Sequence, residues 1–563
     1  MPQQFDIAIL GAGIAGSALA AILSRNGARV LLIDASSHPR FSIGESTIPA
    51  ASFMWKLMAE RYSVPELNSL SGYERVRKEI SPACGVKKHF GFVYHTEGEE
   101  PRSDRANQIA IPNRTAYEAH LYRADIDSYV FRAAVRYGVQ AHQNTRVEDL
   151  CFDEDAVTLT TTTGQQFQTR FVVDACGPGS PFARQLGLRE SDPTFRTRTR
   201  SIFTHMVDVP HFDDCLREPA ELGNPMPWCQ GTLHHVFDGG WLWVIPFNNG
   251  DHQSYNDVVS VGLTLDLDAF PPSDLTPEDE FAQLVARFPS LERQLRNAKP
   301  VRPWVRTGRL QWSSKRMTQH RYCMLASTAG FVGPLFSRGL AHSAEAVNAL
   351  SYRLLAAIRE DDFSEARFAY MDELHRESLK FNDELVSCSF IAFRDYELWN
   401  AWLRVWVLSQ ALPEMILLTR SLEFARDRDD SALQVLERIS ETPLGSVFAS
   451  LWAACVQVVD EFAGGTRTAR SAAAAIFGML RDFDLGPLSA GMAQVDRRYF
   501  GTPSHQDAVA AVRWILAADR SPESTTLYVD LVKALARSSV ANSSVMRRVR
   551  RGPLSRLSPR SGS

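Results

Sequence analysis

An α/β fold is what the sequence predicts: a parallel sheet laid down first, an antiparallel sheet inserted after it, and a helical C-terminal region. Three observations predict it. The chain opens on an apolar run, 5–10, followed at once by Gly11-Ala-Gly13-Ile-Ala-Gly16, a helical pattern over 17–26, and a second apolar run, 28–33, closed by Asp34. From 203 to 265 apolar and polar residues alternate, notably in 232–237 and 258–263, the period of an antiparallel sheet. Beyond 361, apolar residues recur at helical spacing through 374–385, 399–409, 413–425, 451–462, 471–480 and 506–516.

The opening stretch is a Rossmann-type βαβ unit carrying the G-x-G-x-x-G fingerprint. Gly11 allows a tight turn off the strand, Gly13 lets backbone approach a pyrophosphate, and Gly16 lets the helix pack closely on the sheet. The first helical turn then offers its N–H groups and dipole to phosphate. Asp34 ends the second strand, where an acid accepts hydrogen bonds from a ribose diol. A glycine turn alone is weak evidence, but strand, helix and acid all stand at the right distances. The fingerprint by itself does not choose between NAD and FAD.

Composition bounds the rest. The 563 residues suffice for two or three domains, and 45% hydrophobic with 22% charged residues is ordinary for a globular enzyme. A formal charge of -4 argues against nucleic acid as a partner. No uninterrupted apolar run of membrane-spanning length is evident, and the N-terminus reads as a strand, not a signal peptide. The eight cysteines are scattered without a C-x-x-C pair, which predicts reduced thiols in a cytoplasmic protein and neither zinc nor disulfides.

In order along the chain, 51–70 reads as helix, and 84–95 ends in an aromatic strand that follows Lys87 and Lys88. A helix is expected to start at Ala119 and carry Arg123 near its beginning. Residues 139–163 read as strands, with Gly164 turning a hairpin, and 171–180 as a strand end and glycine turn containing Asp174. Residues 275–298 read as helix, 322–326 as a short buried strand, and 339–359 as helix after the turn 327–334. The expected division is 1–360 as a core whose inserted sheet spans about 190–300, 361–545 as a helical domain, and 546–563 as a disordered basic tail.

Three segments carry chemistry. Trp241-Leu-Trp243-Val-Ile245-Pro246 puts two indoles on one face of a strand, where they can wall a passage. Gly85-Val86-Lys87 presents a lysine, a nucleophile when neutral and a compact donor when charged. Lys87 and Lys88 alternate faces in an extended segment, so only one of them points inward. Gly330-Phe-Val-Gly333-Pro334-Leu-Phe336-Ser337-Arg338-Gly339 ends at a helix start whose backbone N–H groups can hold a halide. Standing alone, each has a plain alternative: core indoles, a solvated lysine, an ordinary helix terminus.

Their order in one chain, with Arg40, Gly44-Glu45-Ser46 and Asp174-Ala-Cys-Gly177 between them, resembles the flavin-dependent halogenases over roughly the first 360 residues. The resemblance implies an FAD-binding fold, with Gly11, Gly13, Gly16, Asp34, Arg40, Gly44, Glu45, Ser46, Arg123, Asp174, Ser327 and Gly330 around the cofactor. It implies halide at Ser337, Arg338 and Gly339, a barrier of Trp241, Trp243, Ile245 and Pro246, and Lys87 as the catalytic amine. That amine either holds hypohalous acid or forms a haloamine. The 233–249 and 334–340 segments resemble the phenolic branch; Phe336 stands near the place of the glutamate used by indole-acting members.

The implied reaction uses FADH2, O2 and chloride or bromide to halogenate an electron-rich phenol in secondary-metabolite or antibiotic biosynthesis. No second G-x-G-x-x-G is present, so a separate NAD(P)H flavin reductase is the expected partner; a homodimer is an assembly the resemblance allows. His89, His95, His120 and Glu118 are candidate bases for the phenol. The alternative reading is an FAD-dependent aromatic hydroxylase, which has no use for Lys87. A third, an FAD binder without chemistry, rests on two departures: Gly333 where relatives carry Asp, and Ala326-Ser327 in place of the usual Gly-Asp.

Overall fold

The computed structural model of the chain describes residues 4–111, 117–217, 222–250, 256–434, 436–437, 443–483, 486, 489, 491–501, 513–514, 528–531 and 533. The expected basic tail 546–563 and most of the expected helix 506–516 lie outside these. Contacts divide the chain into two compact units, one of Met1–Trp402, Val459–Ala473 and Val495–Thr502, the other of Leu403–Val458, Ala474–Gln494 and Pro503–Ser563. The first unit therefore runs past 360, because helix Glu365–Ala392 packs on helix Gly339–Glu360 and on strand Thr318–Gln319 of the same unit.

The first sheet is built on Gln4–Leu10, which runs parallel to Val30–Ile33 on one side and to Gln166–Asp174 on the other. Tyr322–Met324 and Gln140–His142 extend the parallel set at its two edges, and Val157–Thr161 forms the hairpin that turns at Gly164. Leu10 stands opposite both Ile33 and Asp174, so three loops leave the sheet at one edge, the carboxyl end where such sheets bind ligands. Helix Ile14–Arg25 lies close against the strand: a Cβ at Gly16 would stand 2.0 Å from the Gly11 carbonyl oxygen.

Among the described residues the second sheet has nine strands and is mixed, not purely antiparallel, and it is not confined to 190–300. Thr199–Val207, Val259–Asp266, Gly240–Pro246 and Thr232–Phe237 are antiparallel neighbours, as the alternation predicts. Thr232–Phe237 then pairs in parallel with His89–Tyr94, which continues to Ala106–Ala110 and Tyr499–Phe500. Every residue of His89–Tyr94 and Thr232–Phe237 is buried, so both strands need neighbours on each side, and pairing them supplies one for each.

Alternation gives this sheet two different faces. One carries Leu233, Leu242, Val244, Val261, Leu263 and Ile202 into an apolar core closed by helices Pro277–Val285 and Pro289–Leu295. The expected single helix 275–298 is split because Pro289 holds Phe288 extended, at φ -121° and ψ 108°. The opposite face, by register, carries Phe90, Phe92, Thr232, His234, Trp241, Trp243, Gly262 and Phe203. Gly262 is opposite Trp243, and a Cβ there would stand 2.0 Å from the indole.

Other boundaries move for local reasons. Glu118–His120 is a strand paired with Gly85–Lys87, so the helix expected from Ala119 begins at Arg123. The helix expected over 51–70 is Pro49–Arg61, with a separate 3₁₀ segment from Pro65. The patterns at 399–409 and 413–425 merge into one helix, Tyr396–Asp427, with Pro413 inside it. By length and composition that helix could cross a membrane, and 67% of its most apolar window is buried in the protein. In the second unit, Leu412 and Ile416 pack with Phe448 and Phe483, and Met415 with Tyr528 and Leu531.

Two outcomes follow from the second sheet. Burial holds His89 neutral down to about 4 and His95 and His234 down to about 3, and pushes His235 well below the usual histidine value. The unfolded chain protonates these groups near 6.5, so stability is full above that value and is lost progressively as pH falls below it. The slope is about 1.4 kcal/mol per pH unit for each histidine, and denaturant titrations between neutral pH and about pH 4 measure it. Gly262→Ala is expected to cost about 1–3 kcal/mol and to shift the tryptophan fluorescence, since Trp243 must move off the strand.

Candidate active site

The carboxyl edge of the parallel sheet is shaped for a dinucleotide. Gly11 adopts φ +102°, and a Cβ at Gly13 would meet nothing within 4 Å, leaving the backbone open to a ligand. Helix Ile14–Arg25 has no side-chain cap, so its first amides face that opening. These features fit a pyrophosphate. Asp34 accepts from the Ala12 and Ser36 amides and is paired with Arg40, whose guanidinium holds both carboxylate oxygens. Burial raises the pKa of Asp34, but these bonds outweigh it and hold the carboxyl below its usual range.

Arg123 and Gly44 meet through backbone. The Arg123 guanidinium donates to the carbonyls of Ile43 (2.5 Å) and Gly44 (3.0 Å) while its other nitrogens bond Asp127, fixing the turn in which Gly44 takes φ +87°. Glu45, next in the turn, is buried and bonded to His205 Nε2 at 2.6 Å. Asp174 is internally engaged, accepting from the Tyr322 and Ser180 hydroxyls and the Cys176 amide, so its side chain holds the glycine turn in place. The Ser327 residue is exposed beside Gly177. Gly330 is small for packing: a Cβ would stand 2.5 Å from Leu379.

Lys87 points inward and is 0% exposed, whereas Lys88 is half-buried with its ammonium over the Tyr117 ring. Lys87 Nζ donates to Ser46 Oγ (2.8 Å), the Thr47 carbonyl (2.9 Å) and Ser337 Oγ (3.4 Å), and lies 3.6 Å from the Phe90 ring centroid. One amine thus joins the Gly44-Glu45-Ser46 turn to the Ser337 turn. Glu118 faces Lys87 across the short ladder. Burial raises its carboxyl, opposed by hydroxyl bonds from Thr47 and Ser52 and by the Lys87 charge.

Phe336 and Ser337 both sit in the left-handed region, at φ +70° and +58°, which turns the chain sharply before helix Gly339–Glu360. A Cβ at Gly339 would meet nothing within 4 Å, so the backbone is open there too. The Arg338 guanidinium lies 4.8 Å from the Phe381 ring centroid.

Trp241 and Trp243 have ring centroids 5.6 Å apart, on the face shared with Phe90, Phe92 and His234. Trp241 lies 5.3 Å from His234, which stacks on Phe92 at 4.5 Å. Ile245 shares this face, while Pro246 is buried on the opposite one and its carbonyl accepts from His120 Nδ1 at 2.9 Å. Thr232 was not legible as a site residue from the sequence, nor were Phe90, Phe92 and His234. The only available signal was the two-residue spacing of Thr232 and His234, which places both on one face. Of the candidate bases, His89 is bonded to the Pro227 carbonyl and His95 to His235, so neither reaches toward Lys87.

Comparison with known proteins matches this geometry to a family. The model for FAD dependent oxidoreductases matches residues 6–311. Tetracycline 7-halogenase of Kitasatospora aureofaciens is 46% identical over 77% of this chain and 78% of its own length. Monodechloroaminopyrrolnitrin halogenase PrnC of Pseudomonas fluorescens is 41% identical over 85% and 86% respectively. The crystal structure of halogenase PltM in complex with phloroglucinol and FAD superposes with a TM-score of 0.83 at 31% identity, covering 88% of this chain and 99% of that one. The cofactor is FAD, used with halide and O2, and the reaction is halogenation, not the hydroxylation weighed as its rival. This chain belongs to the family of flavin-dependent halogenases, within the FAD-dependent oxidoreductases.

Proposed function

We propose that the enzyme chlorinates or brominates an electron-rich phenol and that Lys87 is the group that delivers the halogen. The observation that carries this reading is the position of Lys87 Nζ, sealed from solvent yet bonded to both Ser46 and Ser337. Ser46 belongs to the turn braced by Arg123, on the cofactor side. Ser337 belongs to the strained turn before Gly339, where we place the halide.

FAD, when bound and reduced, supplies the electrons that turn O2 and halide into hypohalous acid. The chain's own part is binding, separation and delivery. Gly11, Gly13 and the first turn of helix Ile14–Arg25 would hold the pyrophosphate. Asp34 and Arg40, already paired, would present a combined acceptor and donor to the ribose, with Gly44, Glu45 and Ser327 lining the path to the flavin. Asp174 and Gly330 act at one remove, by shaping turns. Trp241, Trp243 and Ile245 form a wall that keeps an organic substrate from the flavin, and Gly262 makes room for it.

The phenolic substrate is supported by the ring-lined face beside Lys87. Phe90, Phe92, His234 and Trp241 offer flat apolar surfaces to an aromatic ring. Electrophilic halogen adds ortho or para to a hydroxyl, and phloroglucinol, the ligand of PltM, is a trihydroxybenzene. Glu118 and His120, on the strand paired with that of Lys87, are the nearest candidates to handle protons. The partner is a separate flavin reductase, and the eight unpaired cysteines fit a cytoplasmic setting.

Mass spectrometry of reactions with FAD, a flavin reductase, NADH, O2, a resorcinol and phloroglucinol panel and either halide tests the reading. Products are expected to carry the isotope pattern of the supplied halide. Lys87→Met, which keeps the volume, is expected to lower product per FADH2 oxidised by at least about 100-fold. Retention of wild-type yield in Lys87→Met would remove the lysine from the reaction, and absence of halogenated product from every phenol of the panel would overturn the substrate class.

A further inference from the structure

A run of hydrogen bonds leaves the Lys87 amine and ends on His120. Lys87 Nζ is 2.8 Å from Ser46 Oγ, Ser46 Oγ is 2.8 Å from Thr232 Oγ1, and Thr232 Oγ1 is 3.0 Å from His120 Nε2. All three side chains beyond Lys87 are buried, His120 completely. The residues come from three separate elements, the 44–46 turn, the strand Thr232–Phe237 and the strand Glu118–His120.

The direction of each bond is fixed by what the ends can do. His120 Nδ1 lies 2.9 Å from the Pro246 carbonyl oxygen, which only accepts, so Nδ1 carries a hydrogen. Burial first, with the Lys87 charge beside it, pushes the ring down to about 3, so it is neutral and Nε2 is bare. Nε2 accepts from the Thr232 hydroxyl, Thr232 accepts from the Ser46 hydroxyl, and Ser46 accepts from the Lys87 ammonium. Donors therefore point one way, from the amine to the imidazole.

We propose that Ser46, Thr232 and His120 form a proton relay that takes a proton from the Lys87 ammonium and returns it at the end of each turnover. The inference rests on the reading of Lys87 as the delivering group. The proton leaves Nζ as Ser46 and then Thr232 each gain one and pass one on, and His120 Nε2 keeps the last, giving a neutral amine and an imidazolium. The amine lone pair then attacks the chlorine of hypochlorous acid: the N–Cl bond forms, the Cl–O bond breaks, and hydroxide takes an amine hydrogen to leave as water. The phenol ring next attacks that chlorine, the N–Cl bond breaks, and the ring proton goes to nitrogen. His120 returns its proton to Lys87 by the same path. The sum is arene plus hypochlorous acid giving chloroarene plus water.

The relay keeps a single positive charge in the cluster throughout, which a buried site requires. An imidazolium at His120 has both its N–H groups already placed, one on the Pro246 carbonyl and one on Thr232. The groups facing the pair are Glu118 across the ladder from Lys87, and His89 and His234, both neutral by burial. Glu118 is the rival acceptor, so it enters the test.

The full-length enzyme, loaded with FAD and supplied by a flavin reductase with chloride and resorcinol, is assayed as Lys87→Met, His120→Gln, Thr232→Val, Thr232→Ser and Glu118→Gln. His120→Gln keeps an acceptor and a donor in place without taking up a proton, and Thr232→Val breaks the run at its middle. Both are expected to lower chlororesorcinol per FADH2 oxidised by about 100-fold near neutral pH, with yield recovering toward alkaline pH as hydroxide that enters with the substrate takes over the part of the broken relay. Thr232→Ser, which restores the hydroxyl, should stay within about threefold of wild type. A merely structural role would lower yield equally at all pH values. Wild-type yield in Lys87→Met sinks the lysine reading and the relay together. Loss in Lys87→Met with wild-type yield in His120→Gln and Thr232→Val overturns the relay alone, and loss in Glu118→Gln alone transfers the acceptor role to Glu118.

Discussion

A lysine ammonium buried to 0% exposure is the constraint on which the rest of this site depends. An unsatisfied charge there would cost several kcal/mol, so its partners have to be delivered wherever they lie in the chain. They come from far apart: Ser46 and the Thr47 carbonyl from the loop after the first βαβ unit, Ser337 from the turn before helix Gly339–Glu360, and the Phe90 ring from the next strand. Satisfying one amine thus ties the edge of the parallel sheet to the face of the mixed sheet. The bonds that offset the burial cost also fix the distance between the 44–46 turn and the turn that carries Ser337.

The short ribbon of Gly85–Lys87 and Glu118–His120 makes this possible. Its register sets Lys87 against Glu118 and Gly85 against His120, bringing all the ionisable groups of the ribbon to one place. Gly85 is forced: a Cβ would stand 2.4 Å from the Pro246 carbonyl oxygen, the same oxygen that accepts from His120. Close approach of the ribbon to strand Gly240–Pro246 is what lets the Trp-x-Trp strand and the lysine share one site.

What was legible in the sequence divides along a physical line. The fingerprint glycines, the inward choice of Lys87 over Lys88, and the shared face of Trp241 and Trp243 depend on neighbours within a few residues, and the structure agrees with each of these readings. Phe90 and Phe92 join the Trp241 face only through a parallel pairing between strands that lie some 140 positions apart, and no local spacing records that. Asp34 is read correctly as the acid closing the second strand, yet its pairing with Arg40 depends on how the 35–40 loop folds back. Asp174 illustrates the opposite error. Its place at a strand end invites a ligand, but Tyr322 and Ser180 both donate to one of its oxygens and the Cys176 amide donates to the other.

Phe336 and Ser337 show how the fold tolerates a turn that local preference opposes. Two successive residues with side chains at positive φ cost about 1–3 kcal/mol each, and glycine would avoid that cost at either place. Phe336 is fully buried, 6.3 Å from the Phe92 ring, and Ser337 Oγ reaches Lys87. Replacing either with glycine would relax the backbone and remove what holds the turn against the site. The left-handed pair is therefore maintained by the same contacts it creates. The strained turn, the buried amine and the aromatic face form one interdependent unit, because each supplies the force that keeps the other two in position.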